Sequence, residues 1–196
     1  MNDARLRQAT KQALSSHHHG DPETVLFDEF AVAHGSSRID LAIVNGELHG
    51  IELKSDDDTL IRLPEQVKSF SRVFDRITLV VGERHARAAV DVIPDWWGAR
   101  IAYEESGEIF FSDLKLAEQN RSQDLCALAA LLWRAEAMDL LENLGIANGL
   151  RAKPRADLYA RLAERASARI LADHVRSCLR ARRDWRSVES RLSYGD

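Results

Sequence analysis

Cysteine is scarce: the 196 residues hold two, Cys126 and Cys178. Both lie in segments that read as helix and neither has partners at metal-ligand spacing, so thiols of a reducing cytoplasm are expected in place of a disulfide. Long apolar runs are missing as well. No stretch approaches the roughly eighteen residues of a membrane span, and the start Met1-Asn2-Asp3-Ala4-Arg5 lacks the apolar centre of a signal peptide. With 30% charged and 45% hydrophobic residues, the expectation is a soluble cytoplasmic protein with no membrane partner, long enough for one well-buried core and a small appendage.

The net charge of −4 hides an asymmetry. Residues 1–120 carry 13 Lys and Arg against 21 Asp and Glu, net −8, whereas residues 121–196 carry 14 against 10, net +4. Within 151–191 there are 12 basic and 5 acidic residues, net +7. A basic tail on an acidic body fits a polyanionic partner held by the tail. A solvated, arginine-rich helical face fits the same composition.

The richest stretch runs from Arg38 to Gln66. Arg38-Ile39-Asp40-Leu41-Ala42-Ile43-Val44 and Leu48-His49-Gly50-Ile51-Glu52-Leu53-Lys54 are two β-rich runs, and Asn45-Gly46 between them predicts a hairpin with a two-residue turn. Alternation puts Ile51 and Leu53 on one face and Gly50, Glu52 and Lys54 on the other. By the same rule Ile39, Leu41 and Ile43 share a face, with Asp40 opposite. One hairpin thus gathers two carboxylates and an ammonium, a set suited to Mg²⁺, which takes one or two carboxylates and keeps water and phosphate oxygens for its other positions. A lysine beside it can orient an attacking water and offset phosphate charge. The chemistry implied is phosphodiester hydrolysis.

At these residues the sequence resembles the PD-(D/E)XK nuclease superfamily, the restriction-endonuclease-like fold that also includes Holliday-junction resolvases. Asp40, eleven intervening residues and Glu52-Leu53-Lys54 correspond to its split acidic motif. The string Leu48 to Asp56, with Asp58-Thr59-Leu60, Arg62-Leu63 and Gln66, is similar to one bacterial and phage branch. The resemblance, over roughly residues 23–115, implies that Asp40, Glu52 and the carbonyl of Leu53 hold Mg²⁺ or Mn²⁺ while Lys54 serves the water. Gln66 matches a supporting glutamine of some branches; Phe70 stands where a tyrosine often follows it, and Ile39 replaces the leading proline. Glu29 resembles an acid kept ahead of the motif, and reads either as a third site carboxylate or as a surface acid. The implied activity is that of a Mg²⁺-dependent deoxyribonuclease, an endonuclease by preference. Superfamily nucleases that cut both strands are often dimers, which leaves a homodimer open here, and no residue marks an interface.

Around this stretch the chain alternates elements. Residues 4–17 read as an amphipathic helix covering one sheet face, closed by His17-His18-His19 before Gly20-Asp21-Pro22. Adjacent histidines diverge and seldom share an ion. A strand is expected over 24–33. Ser55-Asp56-Asp57-Asp58-Thr59 reads as an acidic entry to a helix, favoured by its positive end; that helix carries the stripe Leu63, Val67, Phe70, Phe74, with Pro64 in its first turn. Arg76–Gly82 reads as a strand buried on both faces, 85–92 as a short helix, and 99–103 and 108–111 as strands. Trp96-Trp97 is expected as a packing lid rather than a base-stacking platform. The expected architecture is α/β: a restriction-endonuclease-like mixed sheet flanked by helices over 1–118, then an all-helical basic region over 119–196.

In that second region one long helix is expected over 125–144, and Pro154 restarts another to about Glu164. Met138 to Ile146 followed by Arg151 to Leu162 resembles the helix–extended loop–helix of SAP-type DNA-binding motifs, with Lys153, Leu158 and Leu162 approximating the second helix; a plain helical hairpin fits equally. Lys153, Arg155, Arg180, Arg182 and Arg183 are the candidate nucleic-acid contacts, with DNA the expected partner. Two other readings compete: a catalytically silent nucleic-acid-binding module, and a protein-interaction module of phage defence or counter-defence. Charge crowded on a strand is costly, so the intact Asp40, Glu52 and Lys54 favour the enzyme.

Overall fold

The computed structural model describes residues 1–32 and 35–192, with side chains through residue 182. Helix α1 (Asp3–His17) precedes β1 (Val25–Val32), β2 (Ser37–Val44) and β3 (Leu48–Lys54); α2 (Leu63–Ser71), β4 (Arg76–Gly82), a 3₁₀ turn, α3 (Ala86–Val90), β5 (Gly98–Glu105) and β6 (Glu108–Lys115) follow. The six strands lie in one sheet in chain order. β1, β2 and β3 pair antiparallel, β3 with β4 and β4 with β5 pair parallel, and β6 closes antiparallel on β5. This is the expected mixed α/β architecture. β4 sits inside the sheet with Ile77, Leu79, Val80 and Val81 all buried, as its unbroken apolar run requires.

Each sheet face has its own cover. α1 sets Leu6 against Leu41, Ile51, Leu53, Val80 and Ala102. On the opposite face Leu63 and Phe70 of α2, with Phe74 just beyond it, pack on Ile39, Ala42, Val44, Leu48, Ile77 and Leu79. Gly50 is required there, because a Cβ would meet Ile39 Cδ1 at 2.6 Å and Phe74 Cδ1 at 3.1 Å. Trp97, fully buried, donates its indole N–H to Ser71 Oγ at 3.1 Å, as suits a lid.

Two local expectations about the hairpin fail. Asn45-Gly46 does not make a two-residue turn: Val44 pairs with Leu48, leaving a three-residue connection, and none of the three has a positive φ. Asn45 instead closes the loop locally, its N–H donating to Glu47 O and its Oδ1 accepting the Glu47 N–H, both at 3.0 Å. Nor do Ile39 and Leu41 share a face, since Ile39 packs under α2 and Leu41 under α1. The alternation breaks in β1 too, where Phe27 and Phe30 lie on the same side. Between them Glu29 takes a left-handed φ of 50° directly across from Asp40. Such a conformation in a non-glycine residue costs of order 1–3 kcal/mol and persists where its surroundings enforce it.

The acidic loop is used differently from expected. α2 begins at Leu63 after Arg62, with no side-chain cap, and Asp58 accepts the Ser55 N–H at 2.8 Å and hydroxyl at 2.7 Å, closing its own turn. The helix expected over 125–144 is two: α4 (Leu125–Ala129) and α5 (Arg134–Asn143). Glu136 accepts the Trp133 N–H at 2.6 Å and so caps α5. The carbonyls released at the break are taken by side chains, Leu132 O by Tyr159 Oη at 2.8 Å and Leu131 O by Arg182 at 2.9 Å. α6 (Arg155–Arg165) starts after Pro154 as expected, and α7 is Ala168–Leu192. Their buried Leu158, Tyr159, Leu162, Leu171, Val175 and Leu179 belong to the same core as Leu63 and Phe70 of α2.

Candidate active site

β2 and β3 pair only as far as Leu41 and Ile51. Beyond that point the strands part, and Leu53 loses a ladder acceptor that a buried N–H cannot go without. Asp40 supplies it, accepting the Leu53 N–H on Oδ2 at 2.8 Å. Its carboxylate therefore lies in the gap between two strands, where groups from both sheet faces can reach it.

Glu52 and Lys54 lie on the α2 side of β3, as alternation predicts. Glu52 Oε1 accepts from Lys54 Nζ at 2.7 Å and from Gln66 Nε2 at 2.6 Å. The pair is deeply sequestered, with side-chain exposures of 6% for Lys54 and 2% for Glu52. Gln66 stands off the apolar stripe of α2, which turns it toward the site. Two buried acceptors here, Glu52 Oε2 and Gln66 Oε1, have no hydrogen-bond partner. Orphan acceptors of this kind are rare in folded proteins and need an explanation.

Burial, with Asp40 adding to it, pushes the Glu52 carboxyl up to about 7 against the opposing pull of Lys54 and Gln66. The folded chain thus keeps a proton that the unfolded chain releases near pH 4.5. This group stabilises the fold at low pH, and the contribution is lost as pH rises through 7. About 2–3 kcal/mol is expected to disappear between pH 4.5 and 7.5. His49 runs the other way: burial first, then Arg76, push it down to about 4, so it costs stability as pH falls below its ordinary value. Urea unfolding of wild type and Glu52→Gln across pH 4.5–8 isolates the carboxyl, since glutamine keeps an acceptor for Lys54 and Gln66. Parallel stability curves for the two proteins would refute this assignment.

An open cleft of about 760 Å³ surrounds these groups, lined by Asp40, Glu52, Leu53, Lys54 and Gln66 together with Glu29, Arg38, Asp58 and Arg62. Glu29 is half exposed and ion-paired with Arg7 at 3.0 Å and Arg38 at 3.7 Å. Arg7, on α1, also binds Asp40 Oδ1. Nothing in the hairpin pattern points to Arg7, which reaches the gap from the opposite sheet face. Among the described residues no three His, Cys, Asp or Glu side chains come together as a metal cluster. A hard ion held by two carboxylates with water and substrate oxygens does not need a third.

The basic candidates lie away from this cleft. Lys153 and Arg155 are exposed at the start of α6. Arg180 donates to Asn45 O at 3.0 Å, and Arg182 pairs with Glu136 while its guanidinium lies 4.3 Å from the Trp133 ring centre. Both thus have partners within the chain. The Arg183 side chain lies outside the described residues.

Among solved structures, that of Pyrococcus furiosus SfsA in complex with Ca²⁺ is similar with a TM-score of 0.34 and 18% identity, over 58% of this chain and 64% of that one. Protein cII of Enterobacteria phage P4 is 28% identical over 124 residues, 63% of this chain and 47% of that protein, so the alignment spans about half the length of this curated relative. The family model described as bacteriophage P4 protein cII matches residues 3–190. That match takes in the α1 arginine, the hairpin, the Gln66 helix and all four C-terminal helices together, and the chain belongs to the bacteriophage P4 protein cII family.

Proposed function

We propose that this protein is a metal-dependent nuclease of the PD-(D/E)XK type, hydrolysing phosphodiester bonds of DNA. The observation that carries the reading is the convergence of Asp40, Glu52, Lys54 and Gln66 at the parted strands, with Glu52 Oε2 and Gln66 Oε1 buried and unpartnered. A divalent cation supplies what the orphan Glu52 Oε2 lacks. Asp40 and Glu52 would hold it, joined by the Leu53 carbonyl that the resemblance adds. Bound there, Mg²⁺ or Mn²⁺ polarises a phosphate oxygen and acidifies a water.

The chain's own groups do the rest. Lys54 Nζ, fixed by Glu52 Oε1, orients the water and offsets charge on the phosphorane-like transition state. Gln66 fixes the Glu52 rotamer through the same oxygen. Water oxygen bonds to phosphorus as the P–O ester bond breaks; the water proton leaves to solvent in the open cleft, and the departing ester oxygen takes a proton from the same solvent. Glu29 supports the site through Arg7 rather than from its own half-exposed position. In the accessory helical region, Lys153 and Arg155 are the exposed candidates for backbone phosphate contacts.

A second reading, a catalytically silent binding or interaction module, draws on one fact: arginine and lysine already neutralise Asp40 and Glu52. Cleavage of linear, nicked, branched and single-stranded DNA and of RNA, with Mg²⁺ or Mn²⁺, separates the two. Activity in wild type that vanishes in a folded Glu52→Ala establishes the nuclease and names its substrate. An inactive wild type that binds no metal leaves the silent module.

A further inference from the structure

The proposed metal site has a competitor built into the fold. Arg7 projects from α1 beside the buried Leu6, and its Nη2 binds Asp40 Oδ1 and lies 3.0 Å from Glu29 Oε1. Nη1 donates to the Asp40 carbonyl at 3.3 Å, and Asp3 stands 3.9 Å from Nε. The other Asp40 oxygen is committed to the Leu53 N–H. Both oxygens of this carboxylate are therefore engaged, one of them by a full positive charge. The side chains of Arg7 and Asp40 are only 23% and 19% exposed, so water screens the pair incompletely.

We propose that Arg7 is an internal counter-cation that competes with the divalent ion for Asp40 and so sets the metal affinity of the site. This rests on the metal-site reading above. A cation arriving at Asp40 must displace the guanidinium from Oδ1 or sit beside it. Displacement has a destination: Glu29 already pairs with the same Nη2 at 3.0 Å, Asp3 lies 3.9 Å from Nε, and Arg38 stands 3.7 Å from the other Glu29 oxygen. Arg7 is thus a two-position group. On Asp40 it neutralises the empty carboxylate; on Glu29 and Asp3 it leaves Asp40 to the ion and adds positive charge to a cleft that Arg38 and Arg62 also line.

Mn²⁺ binding to the full chain, measured by calorimetry with the free ion followed by electron paramagnetic resonance, tests this. Arg7→Gln, which removes the charge, is expected to bind Mn²⁺ about tenfold more tightly than wild type or better. Arg7→Lys, which keeps the charge, should stay within about threefold of wild type. Should the glutamine variant melt early, Arg7→Met, which preserves packing of the side-chain stem, takes its place. Unchanged or weaker binding in the folded neutral variants overturns the competitor and makes Arg7 a residue that merely positions Asp40, with the metal reading intact. Binding in neither wild type nor any variant overturns the metal reading and the competitor with it. A silent wild type beside a Mn²⁺-binding Arg7→Gln supports both.

Discussion

Lys54→Met is expected to lower metal-supported DNA cleavage about 10³-fold, the scale of loss when a positioned proton-handling or charge-stabilising group is removed. Two effects combine. The ammonium no longer orients the water, and Glu52 loses the stronger of its two donors. With Gln66 alone on Oε1, the buried Glu52 carboxyl, already raised to about 7, rises further and holds its proton at neutral pH. A protonated carboxyl is a poor ligand for a hard cation. These effects part on a pH axis: raising pH from 7 to 9 should restore Mn²⁺ binding to Lys54→Met while the cleavage rate at saturating metal stays low. Lys54→Arg is not a rescue, because a planar fork cannot replace a compact ammonium at 6% exposure. Single-turnover rates within about tenfold of wild type for a folded Lys54→Met would remove Lys54 from the proposed chemistry.

The parts of this protein that were legible in the sequence are those where short-range pattern decides structure. The buried run Arg76–Gly82, the stripe Leu63-Val67-Phe70-Phe74 and the placement of Glu52 and Lys54 opposite Ile51 and Leu53 all follow from periodicity. So does Gln66, off its stripe and on the site. What was not legible depends on the third dimension. Asn45-Gly46 is a strong turn signal, yet the loop gained a residue because Asn45 found partners in Glu47, Thr24 and Arg180. Alternation misplaced Ile39 because the break in the pleat is matched by the left-handed Glu29 on the neighbouring strand, ten residues earlier in the chain. Arg7 is separated from Asp40 by 33 positions and approaches from the other side of the sheet. Helix propensity carried straight across 130–133, where a cap from Glu136 and side-chain donors from Arg182 and Tyr159 made a break affordable.

Asp75 was not singled out by any pattern, and its replacement is expected to have the largest effect on stability. It lies at the entry to β4, 6% exposed, where the sheet meets the C-terminal helices. Its Oδ2 accepts the Leu48 N–H at 2.7 Å and Arg176 Nη1 of α7 at 3.2 Å, and its Oδ1 accepts Gln123 Nε2 at 3.1 Å. The same residue's backbone N–H donates to Leu48 O and its carbonyl accepts from Asn120. One side chain thus joins the first residue of β3, the connection after β6 and a helix 101 positions away. Asp75→Ala leaves the Leu48 N–H without an acceptor and a mostly buried guanidinium with Asp173 alone. Breaking a buried pair while orphaning a backbone donor costs about 3–5 kcal/mol. For a chain of this size the melting temperature should fall by roughly 10 °C. Asp75→Asn keeps an acceptor for Leu48 but no charge for Arg176, and should lose about half as much. Because the charge acts on α7 and the acceptor acts on β3, hydrogen exchange distinguishes the two: protection of α7 amides falls in both variants, whereas the Leu48 amide is exposed only in Asp75→Ala. A melting temperature for Asp75→Ala within about 2 °C of wild type would mean that the helices are held to the sheet by apolar packing alone.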